Sequence, residues 1–466
     1  MSRASNLSAE RQTLYRDYRV KLDQLAAWCR ERRMEGATDE LQEWLPERKP
    51  DQWTLFVLSK ALDAIPSDES LSSEWRQRWR VLREGQAEEL FALARRALAE
   101  HQPSLAYELA TETVRENPDH KQARRLLGYV KQRDQWRTPF EIRQLGSGKV
   151  WNDKFGWLPK SHVDRYEKGQ RYYQGHWISA ADEAAQRRDV KHGWRVDSAH
   201  YVVTTDHSLE EGVQLSRRLE MLYQVWQQVF ISFSTDEAEL ARRFEGRTPR
   251  GDVKQHEIVY YRTRAEYNAA LRPQQAKIDI TLGIYLDQAH TAYFFAGDEQ
   301  DTGTVYHEAT HQLFQETRPA APDVGWTDNF WIVEGIACYM ESLATERGYC
   351  TLGGMAAGRM PAARHRLLAD HFYVPLNQLV QLGMEGLQRD PNIAKIYSQS
   401  AGLADFLMHF QNGRYAQPLV RYLEAIYAGR ATARTLSELT ASSYETLDRQ
   451  YRDYMSQDGT PASDRR

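Results

Sequence analysis

Cysteine is scarce in this chain. Its 466 residues hold three, Cys29, Cys338 and Cys350, too few and too scattered for a disulfide framework. Long apolar runs are missing as well. No stretch approaches the 18 or more residues that a membrane-spanning helix needs, and a mean hydropathy of −0.71 argues the same way. The first residues, Met1 to Gln12, contain no apolar core of the kind a secretory signal carries. These absences together predict a cytoplasmic protein without a membrane span. An excess of either charge is also lacking, with 61 basic and 65 acidic residues and a net charge of −4. The totals therefore give no reason to expect a nucleic-acid partner. Large aromatic side chains are plentiful, 13 Trp and 25 Tyr, which favours a well-packed globular protein over a disordered one.

Residues 1–133 read as helices throughout. Leu14, Tyr18, Leu22 and Leu25 recur at helical spacing, as do Trp75, Trp79 and Leu82. Between Glu88 and Val130, small residues on facing turns, with Asn117-Pro118 between helices, resemble a tetratricopeptide-type hairpin. A bundle that braces the next domain and a surface for a protein partner are both open readings. In 134–198 glycine stands beside or near tryptophan at short intervals, as in Gly156-Trp157, Gly175-His176-Trp177 and Gly193-Trp194. That texture predicts tight turns capped by rings in a small, strand-poor module or linker. From 199 to 455 strands come first and helices after: a strand near 200–205, an amphipathic helix over 209–230, a strand over 257–263, and a hairpin of 280–286 with 291–295. His256 and His290, near strands, read as structural. Residues 456–466 read as a disordered tail.

The chemistry concentrates in Tyr306-His307-Glu308-Ala309-Thr310-His311. Residues four apart share a helix face, so His307 and His311 can offer two imidazole nitrogens to one metal ion. Glu308, on the adjoining flank, can take a proton from a metal-bound water without being a ligand. A tetrahedral catalytic zinc needs a third protein ligand and an open fourth position, and Glu334, 23 residues after His311, is the candidate. Asp301 to Thr304 opens this helix, Val305, Tyr306, Ala309, Leu313 and Phe314 supply a face to bury, and Pro319 and Pro322 stop it. The Glu334 segment is helical in period too. Beside Glu334, Gly335 removes a side chain where two helix backbones approach closely.

His307-Glu308-x-x-His311 with a distal Trp331-x-x-Glu334-Gly335-x-Ala337-x-Tyr339-x-Glu341 resembles the gluzincin branch of zincin metallopeptidases, bacterial peptidase-MA-like domains of unknown function in particular. The resemblance covers 199–455, with the sharp motifs in 306–341. It implies an α+β fold, in which an all-α, helical-repeat-like amino-terminal domain precedes a zincin-like catalytic domain of small mixed sheet, active-site helix and helical lower lobe. It also implies one Zn2+ held by His307, His311 and Glu334, with Glu308 as general base and later proton donor to the leaving amine. Thermolysin-like members carry an Asp four residues after the glutamate ligand to support a ligating histidine. Here that position is Cys338, and Glu341 on the next turn is the available substitute, so which residue orients the imidazoles stays open. Gluzincins supply a Tyr or His from the lower lobe to the oxyanion, which implies Tyr397. The strand before the HExxH helix forms an edge for an extended peptide, which implies Thr291, Ala292, Tyr293 and Phe294 as substrate-binding residues. The expected activity is zinc-dependent hydrolysis of a peptide or protein substrate. An endopeptidase is favoured over an aminopeptidase because no acidic amine-anchoring motif precedes HExxH. The third reading is a non-catalytic zincin-fold scaffold, which would have no need of Glu308.

Overall fold

Small residues on facing turns set the amino-terminal packing. In the computed structural model, which describes residues 3–58, 71–247, 254–297 and 301–457, the helices Leu71–Ala99 and Pro103–Glu116 lie against each other. They bury Leu90, Leu93, Ala94 and Ala97 of one against Ala106, Leu109 and Ala110 of the other. The helix Arg3–Glu31 adds Tyr18, Leu22 and Leu25 to a second cluster with Trp75 and Trp79. This part is not all helical: Gln52–Leu55 is a strand, β1.

Three antiparallel hairpins run from residue 130, just before the glycine- and tryptophan-rich stretch, to residue 179 within it. They are β2 (Val130–Gln132) with β3 (Gln135–Arg137), β4 (Lys149–Asn152) with β5 (Gly156–Pro159), and β6 (Gln170–Tyr173) with β7 (His176–Ser179). The expectation of a strand-poor module is corrected here. Turn glycines such as Gly175, at a φ of +88°, allow the reversals, and rings such as Trp151 and Trp157 meet edge to face across the hairpin they flank.

The central sheet holds β8 (Trp194–Asp197), β9 (Tyr201–Thr205), β10 (His256–Tyr261), β11 (Ile284–Leu286) and β12 (Thr291–Phe295), in the order β11-β12-β10-β9-β8. β10 runs parallel to both β9 and β12, and the outer strands run antiparallel to their neighbours. Parallel pairing needs a crossover, which the helix Leu209–Ser234 supplies between β9 and β10. β8 belongs to this sheet although it precedes residue 199, so the sheet starts inside the 134–198 stretch.

Two further strands, β13 (Ala344–Thr345) and β14 (Cys350–Gly353), form a second sheet in the order β1-β14-β13. β1 pairs antiparallel with β14, from Gln52 opposite Gly353 to Leu55 opposite Cys350. The amino-terminal part therefore contributes a strand to the carboxy-terminal part, which corrects the all-α expectation. Helices Met360–Leu368, Ile393–Gly413, Ala416–Tyr427 and Tyr444–Met455 dominate the remainder. The fold is mixed α+β. Among the described residues no helix is long and apolar enough to cross a membrane. The expected tail, 456–466, lies outside the described residues from 458 onward.

Candidate metal centre

Asp301 starts the HExxH helix, Thr302–Glu316, its carboxylate accepting from the Thr304 amide at 2.6 Å. The inward face buries Val305, Tyr306, Ala309, Leu313 and Phe314. Phe314 sits edge-on to Trp226, Phe230 and Phe233 of the helix Leu209–Ser234, with ring centroids 4.8 to 5.3 Å apart. At the carboxy-terminal end Glu316 is locked by His256 Nδ1 at 2.9 Å and by the Tyr285 hydroxyl at 3.2 Å. His256 is thus a structural histidine. His290 closes the β11–β12 turn in the left-handed region, at a φ of 49°. With the helix fixed at both ends, His307, Glu308 and His311 face the remaining, half-buried side.

The second helix, Phe330–Met340, is buried along its whole length, and Glu334 is its one charged residue. Gly335 permits its placement: a Cβ there would lie 2.8 Å from the Ser400 carbonyl oxygen on the helix Ile393–Gly413. The Glu334 carboxylate meets the imidazole pair. His307 Nε2 and His311 Nε2 are 3.1 Å apart, and Glu334 Oε2 lies 3.4 Å from the first and 3.8 Å from the second. Ligand atoms about 2.0 to 2.2 Å from a tetrahedral zinc stand roughly 3.3 Å from one another, so two nitrogens and one carboxylate oxygen at these separations fit such an ion. Burial alone would raise the Glu334 pKa, but His311 and His307 outweigh it and hold the carboxyl well below its usual range. Burial likewise opposes a charge on His307, yet Cys338, Glu334 and Glu341 lift its pKa well above the ordinary value.

The other ring nitrogen of His307 faces Glu341, 2.8 Å from Nδ1 to Oε1. Cys338 Sγ is 3.9 Å from the same Nδ1, so it borders the nitrogen that Glu341 holds. Glu341 in turn receives Arg359, a residue that sequence reasoning missed because it is 18 positions away with no motif to mark it.

Glu308 turns toward the sheet. Its Oε2 accepts the Tyr285 amide at 2.8 Å, so this N–H of β11 is directed at the carboxylate rather than at β12. The expectation that Thr291, Ala292, Tyr293 and Phe294 form the substrate edge is corrected. Their strand, β12, is interior, flanked by β10 and β11, and Ala292 and Phe294 are fully buried. The hairpin places its first arm outside because its second arm is taken by the parallel pairing with β10. Among the described residues the outer strand on this side of the sheet is β11, with Ile284, Tyr285 and Leu286. Tyr397, half-buried in the first turns of the helix Ile393–Gly413, lies close enough to Glu334 and Glu308 for their charges to act on it. Burial first, then the neighbouring carboxylates, push its phenol pKa far up, so it stays a hydrogen-bond donor.

The chain matches no protein-family model and no curated protein. What bears on its function is therefore the geometry of this site.

Proposed function

We propose that this chain is a zinc-dependent peptidase of gluzincin type, with a zincin-like arrangement of sheet, HExxH helix and helical lobe. The observation that carries the reading is the convergence of His307 Nε2, His311 Nε2 and Glu334 Oε2 from two separate helices, with the glutamate on an otherwise uncharged, buried helix. Zinc, when bound, lowers the pKa of its bound water and polarises the scissile carbonyl.

The protein's own groups then have distinct tasks. Glu308, next to His307 on the same helix and bonded to the Tyr285 amide of β11, is the group to take the proton of the attacking water and pass it to the leaving amine. Tyr397, kept protonated by its surroundings, donates a hydrogen bond to the developing oxyanion, a contribution of about 3 kcal/mol in comparable sites. An extended substrate lies along β11, the strand whose outward main chain reaches Glu308. An endopeptidase is favoured over an aminopeptidase, because no amine-anchoring acidic motif precedes the HExxH helix.

The amino-terminal helices serve in this reading as a brace rather than a peptide-binding groove. The buried carboxylates of Glu108 and Glu112 are met by Arg11 and Arg48 of the same chain, with Arg48 Nη2 2.6 Å from Glu112. Those charges are thus satisfied internally.

The test is digestion of casein and of a peptide library with and without chelator. Glu308→Gln is expected to retain zinc and lose about 10²- to 10⁴-fold in turnover. Glu334→Ala is expected to lose the metal while remaining folded. Elemental analysis of both variants beside the digestion assay decides it: full zinc in Glu334→Ala removes that residue from the site, and undiminished proteolysis in Glu308→Gln removes the general base.

A further inference from the structure

A zinc-ligating imidazole uses one nitrogen for the ion and leaves the other to the protein, which thereby fixes tautomer and ring plane. For His307 that second nitrogen is Nδ1, held by Glu341. Glu341 has its own clamp: Arg359 Nε donates to Oε2 and Arg359 Nη2 donates to Oε1, both at 2.7 Å. A two-point fork of this kind fixes the plane of a carboxylate, which a single ammonium group cannot do.

Arg359 is delivered by a loop that several elements secure. The amide of Gly353 donates to Ser342 Oγ at 2.9 Å, that of Gly354 to Asp405 Oδ2 at 3.2 Å, and that of Met355 to Asp51 Oδ2 at 3.1 Å. Gln52 Nε2 donates to the Gly353 carbonyl at 3.1 Å. Gly358, at a φ of +51°, then lets the chain pass so close to Ser342 that a Cβ would stand 3.0 Å from the serine Cβ. Ser342 follows Glu341 directly. The close approach therefore puts Arg359 opposite the carboxylate that it clamps.

We propose that Arg359 is a positioning residue of the metal centre, setting the orientation of Glu341 and through it the ring plane and Nδ1-protonated tautomer of His307. The proposal rests on the zinc-site reading given above. Arg359 meets His307 by way of Glu341, so the effect expected of it falls on metal affinity and ligand geometry.

The experiment uses the full chain, stripped of metal, as wild type, Arg359→Met and Arg359→Lys. Zinc affinity is read by competition with a chromophoric chelator, ligand geometry by the visible spectrum after cobalt(II) loading, and fold by urea unfolding of the metal-free protein. Arg359→Met is expected to bind zinc about 10- to 100-fold more weakly and to shift the cobalt bands. Arg359→Lys, keeping the charge without the fork, is expected to fall between, and it carries the test if the Met variant does not fold. Affinity and cobalt spectrum equal to wild type in both variants would overturn the assignment. So would a loss of affinity that only follows a lowered unfolding midpoint, since that is the mark of a structural brace. A wild-type chain that binds no zinc would instead sink the zinc-site reading, and this proposal with it.

Discussion

Among the side chains of the helix Phe330–Met340, Glu334 alone carries a charge. An unpartnered carboxylate in such surroundings costs several kcal/mol. Its presence in so apolar a segment is a physical signal legible in the order of residues, as is the four-residue spacing of His307 and His311. The partner of Glu341 was not legible there, because Arg359 reaches it across a loop whose course is set by contacts with Ser342, Asp405 and Asp51. Asp405 is a second buried carboxylate, with a consequence for stability. Burial pushes its pKa from an ordinary 3.8 up to about 7, with the Tyr454 hydroxyl and the Gly354 amide pulling it only partly back and Asp51 adding to the rise. The folded protein thus keeps a proton that the unfolded chain releases, and the stability tied to it is present below about pH 4 and lost as the pH climbs to about 7. His409, 4.0 Å away and held down to about 3 by burial, has the opposite slope. Asp405→Asn is expected to gain stability over wild type on going from pH 4.5 to pH 7, by roughly 1 kcal/mol per pH unit. Urea unfolding at both pH values measures it, and an unchanged difference would mean that Asp405 is already ionised in the fold.

At the level of elements, the long periodic segments were legible and the short ones were not. The HExxH helix appears where its cap and apolar face predict, and the helix Leu209–Ser234 leaves helical geometry at Phe230, the expected end, before a last turn to Ser234. The Glu334 segment is helical over Phe330–Met340, after which the chain turns into β13. The hairpin about 287–290 was legible as well. Which of its arms lies outside was not, since both arms are apolar enough to read as strands and only the pairing of β12 with β10 decides. Gly335 marks a helix crossing that the sequence did anticipate. Gly335→Ala gains helix propensity of about 1 kcal/mol but drives a methyl to 2.8 Å from the Ser400 carbonyl. The net expectation is a loss of roughly 1 to 3 kcal/mol, read as a lower urea midpoint at unchanged slope. A neutral result would show that the two helices can separate without cost.

Across the molecule as a whole, β1 and β8 bind together what the sequence divides at 133 and 198. A fragment of residues 199–457 would leave β9 without β8 and β14 without β1, exposing main-chain hydrogen-bonding groups and apolar surface at two sheets. It is expected to be recovered aggregated or without a cooperative thermal transition. Circular dichroism against the full chain settles the matter, and a soluble fragment melting as the full chain does would make the amino-terminal part a detachable domain. Local spacing, a cap and an apolar face were enough to specify the helix that presents His307, Glu308 and His311, and the need of such a pair for a third ligand singled out Glu334, 23 residues after His311. That Glu334 faces the imidazoles, that Glu341 and Arg359 stand behind His307, and that β11 rather than β12 is the outer strand were settled by folding. These are contacts between segments distant in the chain, and no local pattern encodes which of several compatible surfaces will meet.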